Sequence, residues 1–421
     1  MFRKVIALVE LLALRFLGAF SSILVIYVVA SMVDLGGAGD YAVSLVIIQL
    51  LSIATKAGLD IYVLKYVSSC AGNDGYNYLA RALICCVAFL FLFYIAFGCL
   101  YQAGLGRILT GDFYWMIFSI LFINLNSIFC EFIRASGSNK IATFNLETLL
   151  FVVFIIEIYV ADYFLIDIDG ILGELFLIAS AISLLFTVLL LIYLVRDGDR
   201  LGSVLRQEFR QASFTYCVLV IRNGYTYAIN NLLEQGISSI PVIYVYIFGG
   251  SEMAAIVRII VRLGMVPSFV AHSINNLLAR VYAKLHSDER FSELNRTNNA
   301  MVVYALGLSA TIGILLVYMG DEIVSFIAST NIEGYQTELF VVVAAQVLYS
   351  VYSPLVPLIQ MSSKPIYMTK ATFFAFVTGA VFLLLSFTFD PVASAVASIL
   401  VTRVAQVYLM NQYSKLVFAG V

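Results

Sequence analysis

The stretch "VVASMVDLGGAGDYAVSL" (28–45) closes one apolar run, turns on Gly36 and Gly37, and restarts with small residues. "PVIYVYIFGGSEMAAIVRI" (241–259) repeats the pattern, with Gly249 and Gly250 at its turn. Apolar runs joined by short turns are the signature of membrane-crossing helices. Composition agrees: the 421 residues are 62% hydrophobic and 12% charged, and the mean hydropathy is +0.98. Soluble domains run at about 45–50% apolar and about 25% charged. The chain therefore reads as an all-α polytopic membrane protein.

A spanning helix needs about 20 mostly apolar residues. Reading from one polar break to the next predicts spans at 12–35, 40–66, 78–103, 112–134, 141–165 and 170–195. A second set falls at 215–249, 252–278, 298–320, 334–360, 366–389 and 391–414, which makes twelve in all. The link 196–213, "RDGDRLGSVLRQEFRQAS", separates an N-terminal lobe (1–195) from a C-terminal lobe (214–421), each with six helices.

Lysine and arginine set the orientation. With the N-terminus cytoplasmic, inner loops and helix ends hold seventeen of the 24 Lys and Arg, and the outer loops hold Arg107 alone. The remaining six lie within spans: Arg15, Lys56, Arg222, Arg258, Arg262 and Arg403. Both termini are thus expected in the cytoplasm. Six spans per lobe run both lobes in the same direction, a parallel repeat about an axis along the membrane normal. A weaker echo pairs "RASGSNKIATF" (134–144) with "IQMSSKPIYMT" (359–369). Such repeats suit an alternating-access transporter, with cargo held in a central cavity near the bilayer midplane.

Several classes drop out. A net charge of −2 without a Lys/Arg-rich run gives no footprint for nucleic acid. The six cysteines (Cys70, Cys85, Cys86, Cys99, Cys130 and Cys217) have no CxxC or CxxH spacing and read as small buried apolar residues. No GxxxxGK[ST] is present, and His272 and His286 have no metal-site spacing. The outer loops are short and hold no domain for a catalytic centre. The expectation is a protein with no cofactor, no metal and no catalytic residues, and not an enzyme.

With its twelve spans, its two lobes and its "DLGGAGDYAVSL" and "FGGSEMAAIVRI" turns, the chain resembles the multidrug/oligosaccharidyl-lipid/polysaccharide exporter superfamily. The resemblance is best to its bacterial polysaccharide (O-antigen) flippases. It runs over essentially the whole chain on loose small-residue patterns. It implies a flippase of the bacterial inner membrane that moves an undecaprenyl-pyrophosphate-linked oligosaccharide, an O-antigen or capsule repeat unit, to the outer leaflet. It also implies membrane lipid, a polysaccharide polymerase and a chain-length regulator as partners. Related flippases have a cationic cavity lined by their first, second, seventh and eighth helices. The corresponding candidates here are Arg15, Lys56, Arg222, Arg258 and Arg262. Lipid II flippases usually carry two further helices, so lipid II is not favoured as cargo.

The charges themselves bear on this. A charge at the bilayer centre costs at least about 2.5–3.5 kcal/mol, so these side chains must meet water, a partner or cargo. Lys56 has Asp60 four residues on, which predicts an intrahelical pair. Arg258 and Arg262 share a helix face, about 9 Å and about 15 Å along the helix from Glu252. Their expected partner is either cargo or a carboxylate of Glu234, Glu147 or Glu157. Arg403 is central in the last span and carries the same two readings. Arginine suits pyrophosphate because its planar fork donates paired bonds to phosphate oxygens.

Asn230 and Glu234 share a face in "AINNLLEQGISSIP" (228–241), where Gly236 and Pro241 are expected to break or kink the helix. They suit sugar hydroxyls, as do Asn124 and Asn126, although helix–helix hydrogen bonding is the competing reading. Pro267, Pro354 and Pro357 are hinge or kink candidates. For coupling to H+ or Na+ the candidates are Asp60, Glu147, Glu157 and Glu234, while Glu131 reads as a structural partner of Arg134.

Two rivals remain. A multidrug cation antiporter of the same fold would want an acidic, aromatic cavity. A membrane-embedded O-antigen polymerase or glycosyltransferase would want a long outer loop.

Overall fold

The computed structural model describes residues 2–69, 74–102, 111–168, 170–195, 204, 207–208, 214–287, 290–328, 334–356, 359 and 366–419. Most of the link 196–213 therefore lies outside the described residues, as do Cys70, Arg107 and Pro357 and the side chains of Cys217 and His286.

The described residues are helical, without strands. The first part of the chain forms α1 (Phe2–Met32), α2 (Leu35–Lys56), α3 (Leu59–Ser69), α4 (Asp74–Gln102) and α5 (Gly111–Ala135). Then come α6 (Asn139–Phe144), a π-helical turn (Asn145–Leu149), α7 (Leu150–Tyr163) and α8 (Leu172–Val195). The second part forms α9 (Phe214–Gly249), α10 (Ser251–Gly264), α11 (Ser268–Ser287), α12 (Phe291–Tyr318) and α13 (Gly320–Ala328). It ends with α14 (Gln336–Tyr352), α15 (Ile366–Leu385) and α16 (Pro391–Ala419).

Local chemistry sets several boundaries. Asp34 caps α2 by accepting the Gly37 N–H at 2.5 Å, which satisfies one of the donors a helix start leaves unbonded. Asp390 does the same for α16 through the Ala393 N–H at 2.7 Å, followed by Pro391 at the first helical position.

Ten described helices are long and apolar enough to cross a membrane, or eleven if the bent pair α10–α11 is one span. The tenth expected span contains α14, apolar but only 17 residues long.

Two spans differ in detail from expectation, and a third bends at a proline read as a hinge or kink candidate. The second is not one helix: it breaks between α2 and α3 at Ala57 (φ 52°) and Gly58 (φ 76°). The eighth bends by 50° between α10 and α11. Pro267 sits at that bend, where it has no N–H to continue the helix. The carbonyl of Pro267 instead accepts the Ser309 hydroxyl at 2.8 Å, and Ser350 donates to Ser309 at 2.8 Å. The seventh, where Gly236 and Pro241 are able to break or kink the helix, runs as one 36-residue helix through Pro241. A lost backbone bond at a single proline is absorbed there without a break.

The chain divides into two compact units: Met1–Val43 with Leu233–Val421, and Ser44–Leu232. The boundaries fall inside α2 and α9, whereas the two six-helix lobes read from the sequence divide at 196–213. In the Ser44–Leu232 unit, α5 packs on α3, α4 and α8, and α7 packs on α8. In the other unit α10 is central, in contact with α1, α12, α13, α14 and α16, while α15 packs on α16. The two repeated turns meet inside this unit. A Cβ on Gly39 would lie 1.9 Å from the Ser251 carbonyl oxygen, so only glycine permits the approach.

Candidate functional site

Five of the six in-span cations fall into three clusters. The first lies on α10, "SEMAAIVRIIVRLG", where every residue from Ala254 to Gly264 is buried except Arg262, which is partly buried. Arg258 is 1% exposed and its Nε has no hydrogen-bond acceptor. Arg262, a like charge one turn on, and Tyr41 of α2 both act on it electrostatically. Tyr41 is itself buried and interacts with both guanidiniums. Arg262 makes no carboxylate pair among the described residues. Neither Glu234 nor Glu157 is shown bonded to it. Tyr41 was not among the residues singled out from the sequence; it follows the repeated Gly turn, and only the fold brings it to α10.

The second cluster joins α9, α14 and α16. Arg403 is 5% exposed, and its Nη1 donates to Glu234 Oε2 at 2.8 Å, to the Tyr352 hydroxyl at 2.8 Å and to Gln406 Oε1 at 2.6 Å. The Gln406 amide donates to the other oxygen of Glu234 and, at 3.3 Å, to Thr372. The guanidinium also lies 4.9 Å from the Tyr349 ring centroid, a cation–π distance. Tyr349 in turn sits 3.4 Å from Nδ1 of His272 on α11. Arg15, partly buried on α1, acts electrostatically on both His272 and Tyr349. Glu234 is therefore committed to Arg403 and Gln406 rather than to the α10 arginines. Gln406, Tyr349 and Tyr352 had no signal in the sequence, because each is an ordinary residue on an apolar helix.

The third cluster lies in the Ser44–Leu232 unit at the break after α2. Lys56 pairs with Asp60 at 2.7 Å and donates to the Ser127 hydroxyl at 2.9 Å. The expected pair thus forms, but across a helix break and not along a continuous helix. Asp60 also accepts its neighbour's N–H, from Ile61, at 2.9 Å. Beside it, Asn124 accepts from Ser52 at 2.5 Å and donates to Thr55 at 2.9 Å, and Asn126 donates to Ser183 at 3.3 Å. Asn124 and Asn126 therefore tie helices together, which is the competing reading given for them above.

The other candidates are dispersed. Arg222 is exposed on α9, and Asn230 is buried on the same helix. Glu147 lies in the π-helical turn, partly buried. Glu157 is partly buried on α7, where the Ala179 backbone N–H acts on its carboxylate. Glu131 pairs with Arg134 at 2.6 Å, as its spacing suggested. Cys85, Cys86 and Cys130 are buried and not joined in a disulfide, whereas Cys99 is exposed, contrary to expectation. Among the described residues no group of His, Cys, Asp or Glu is arranged to hold a metal ion.

The described residues thus form an all-helical polytopic membrane protein with charged clusters buried in its spans. The chain is similar to the inward-facing conformation of a multidrug resistance MATE family transporter of the MOP superfamily, with TM-score 0.75 at 12% identity over 98% of both chains. It is also similar to the outward-facing conformation of such a transporter (TM-score 0.69, 13% identity, 98% of this chain and 96% of the other). A third is a mutant of the Vibrio cholerae MATE transporter VcmN (TM-score 0.63, 14% identity, 97% and 96% covered). No family model matches the sequence, and no curated protein matches it. At these identities the likeness establishes the fold: the chain has the fold of MATE transporters.

Proposed function

We propose that the chain is a membrane transporter working by alternating access, and that its cargo carries an anionic head received by the arginines of α10. Arg262 carries the proposal: it is a permanent cation within a span, beside a second arginine and without a carboxylate pair among the described residues. In lipid such a charge needs a counter-charge or water. A pyrophosphate joined to a polyprenyl tail and an oligosaccharide supplies the first and leaves its tail in the bilayer. In this reading Arg403 and Lys56, already neutralised by Glu234 and Asp60, hold helices together within their own units. The termini lie in the cytoplasm of a bacterium, and H+ or Na+ drives the cycle.

The second reading is multidrug export. The solved structures support it more directly than they support a lipid-linked saccharide, since two of them are named as multidrug resistance transporters. The two readings want opposite charges in the site. The test is transport by the purified chain in liposomes, with a polyprenyl-pyrophosphate-linked sugar in one assay and a cationic dye in another. The anionic reading expects translocation of the first, lost in Arg262→Ala and partly kept in Arg262→Lys. Dye export that is unaffected or improved by Arg262→Ala, with no movement of the lipid-linked sugar, overturns it in favour of multidrug export.

A further inference from the structure

A further cation cluster lies at the end of the Ser44–Leu232 unit that the Lys/Arg distribution assigns to the cytoplasm. Arg81, near the start of α4, reaches Glu208 of the link 196–213. Its Nε donates to Oε2 at 3.3 Å and its Nη2 to Oε1 at 3.1 Å. Two parallel bonds from one guanidinium form the fork that grips carboxylate and phosphate alike. The Glu208 side chain is 7% exposed, while that of Arg81 is 32% exposed.

The surroundings are aromatic. The Arg81 guanidinium lies 5.5 Å from the Tyr78 ring centroid. Tyr78 stacks on Tyr66 at 5.1 Å and 17°, and Tyr62 packs against both rings. Lys65, exposed on α3, holds its ammonium 5.8 Å from Tyr66 and 5.9 Å from Tyr227. Ring faces orient cations without cancelling their charge, so the cluster keeps its attraction for an anion. The anion now in the fork comes from the link, and not from the helices that build the cluster. A carboxylate delivered on a separate segment is a ligand that a stronger one can displace.

We propose that Arg81, Lys65 and the Tyr66–Tyr78 stack form a loading site for a phosphoryl anion on the cytoplasmic side, which Glu208 fills until that anion displaces it. The proposal rests on the anionic-cargo reading for the identity of the anion, but the site can be measured without transport. A pyrophosphate carries more negative charge than one carboxylate and so outbids it for the fork. The tyrosines offer flat faces to whatever sugar or tail the anion carries.

The experiment is calorimetric titration of the full-length purified chain with inorganic pyrophosphate and, separately, with farnesyl pyrophosphate. Glu208→Gln keeps the shape of the side chain and removes its charge, so pyrophosphate should bind about tenfold tighter than to wild type. The gain should vanish in Glu208→Gln/Arg81→Lys, which keeps the positive charge and loses the fork. Glu208→Ala gives a second route to the same vacancy. Equal affinity in wild type, Glu208→Gln and Glu208→Ala overturns the site, and so does a gain that survives Arg81→Lys. A gain for inorganic pyrophosphate with none for farnesyl pyrophosphate keeps the site and assigns it to a free anion. The same gain in a chain that fails to move lipid-linked sugar keeps the site and discards the cargo.

Discussion

Gly58 and Gly224 meet backbone to backbone: a Cβ on Gly58 would lie 2.3 Å from the Gly224 carbonyl oxygen. The contact holds the break between α2 and α3 against α9, one residue from Ala57, whose own φ is 52°. A non-glycine residue in that region costs of order 1–3 kcal/mol, so strong surroundings must enforce it. Lys56 and Asp60 flank the break and pair across it.

Gly58→Ala should therefore be severe, because the new methyl meets main chain and φ is positive as well. We expect a loss of about 3 kcal/mol or more, read as thermal unfolding of the purified protein in detergent. Gly137, with φ 102° and nothing near a new Cβ, isolates the conformational part. Gly137→Ala should cost about 1–2 kcal/mol. Equal losses for the two variants would mean that the Gly224 contact is loose.

Gly379 of α15 meets Thr402 of α16 in a similar way, with a Cβ 1.8 Å from the Thr402 hydroxyl oxygen. That hydroxyl donates to the Ser398 carbonyl at 2.7 Å, so it is not free to swing aside. Gly379→Ala should lower the unfolding temperature, and adding Thr402→Ala should restore most of the loss. A double variant no more stable than Gly379→Ala alone refutes the steric account.

Arg403 supports three acceptors at once, so removing it strands Glu234 and Gln406 as well. Arg403→Met should destabilise by about 3 kcal/mol, the usual scale for breaking a buried pair from one side. Glu234→Gln/Arg403→Met should lose less than the sum of the single variants. Additive losses measured in a double-mutant cycle would show that the two do not act as a pair.

Cys99 offers a test of orientation. It is exposed near the end of α4, whereas Cys85, Cys86 and Cys130 are buried. With Cys70 and Cys217 changed to serine, a membrane-impermeant maleimide added to intact cells should label Cys99 alone. Labelling only after the cells are opened would reverse the topology read from lysine and arginine.

The fold was legible because lipid imposes one long apolar signal per crossing, and that signal survives without any particular side chain. Helix breaks were less so. Pro241 could break or kink its helix and is absorbed in α9 without a break, while Ala57–Gly58 carried no such reading and interrupts the second span. Both outcomes depend on what packs alongside, which a single chain of letters does not carry. Pairing followed the same rule. Lys56–Asp60 and Glu131–Arg134, a turn apart, were readable from spacing, while Arg403–Glu234, from helices at opposite ends of the second half, was one choice among several. Tyr41 and Gln406 gave no advance sign, since an isolated polar residue on an apolar helix is usually a packing detail.

The contact of Gly39 with Ser251 carries a further meaning. The two turns that echo one another in sequence are packed against each other. A patch that fits its own likeness has the form of an isologous dimer interface, here folded into a single polypeptide. Each turn is therefore the other's mould. Any side chain at position 39 would have to be met by a displacement of the main chain at Ser251, so the two turns can change shape only together.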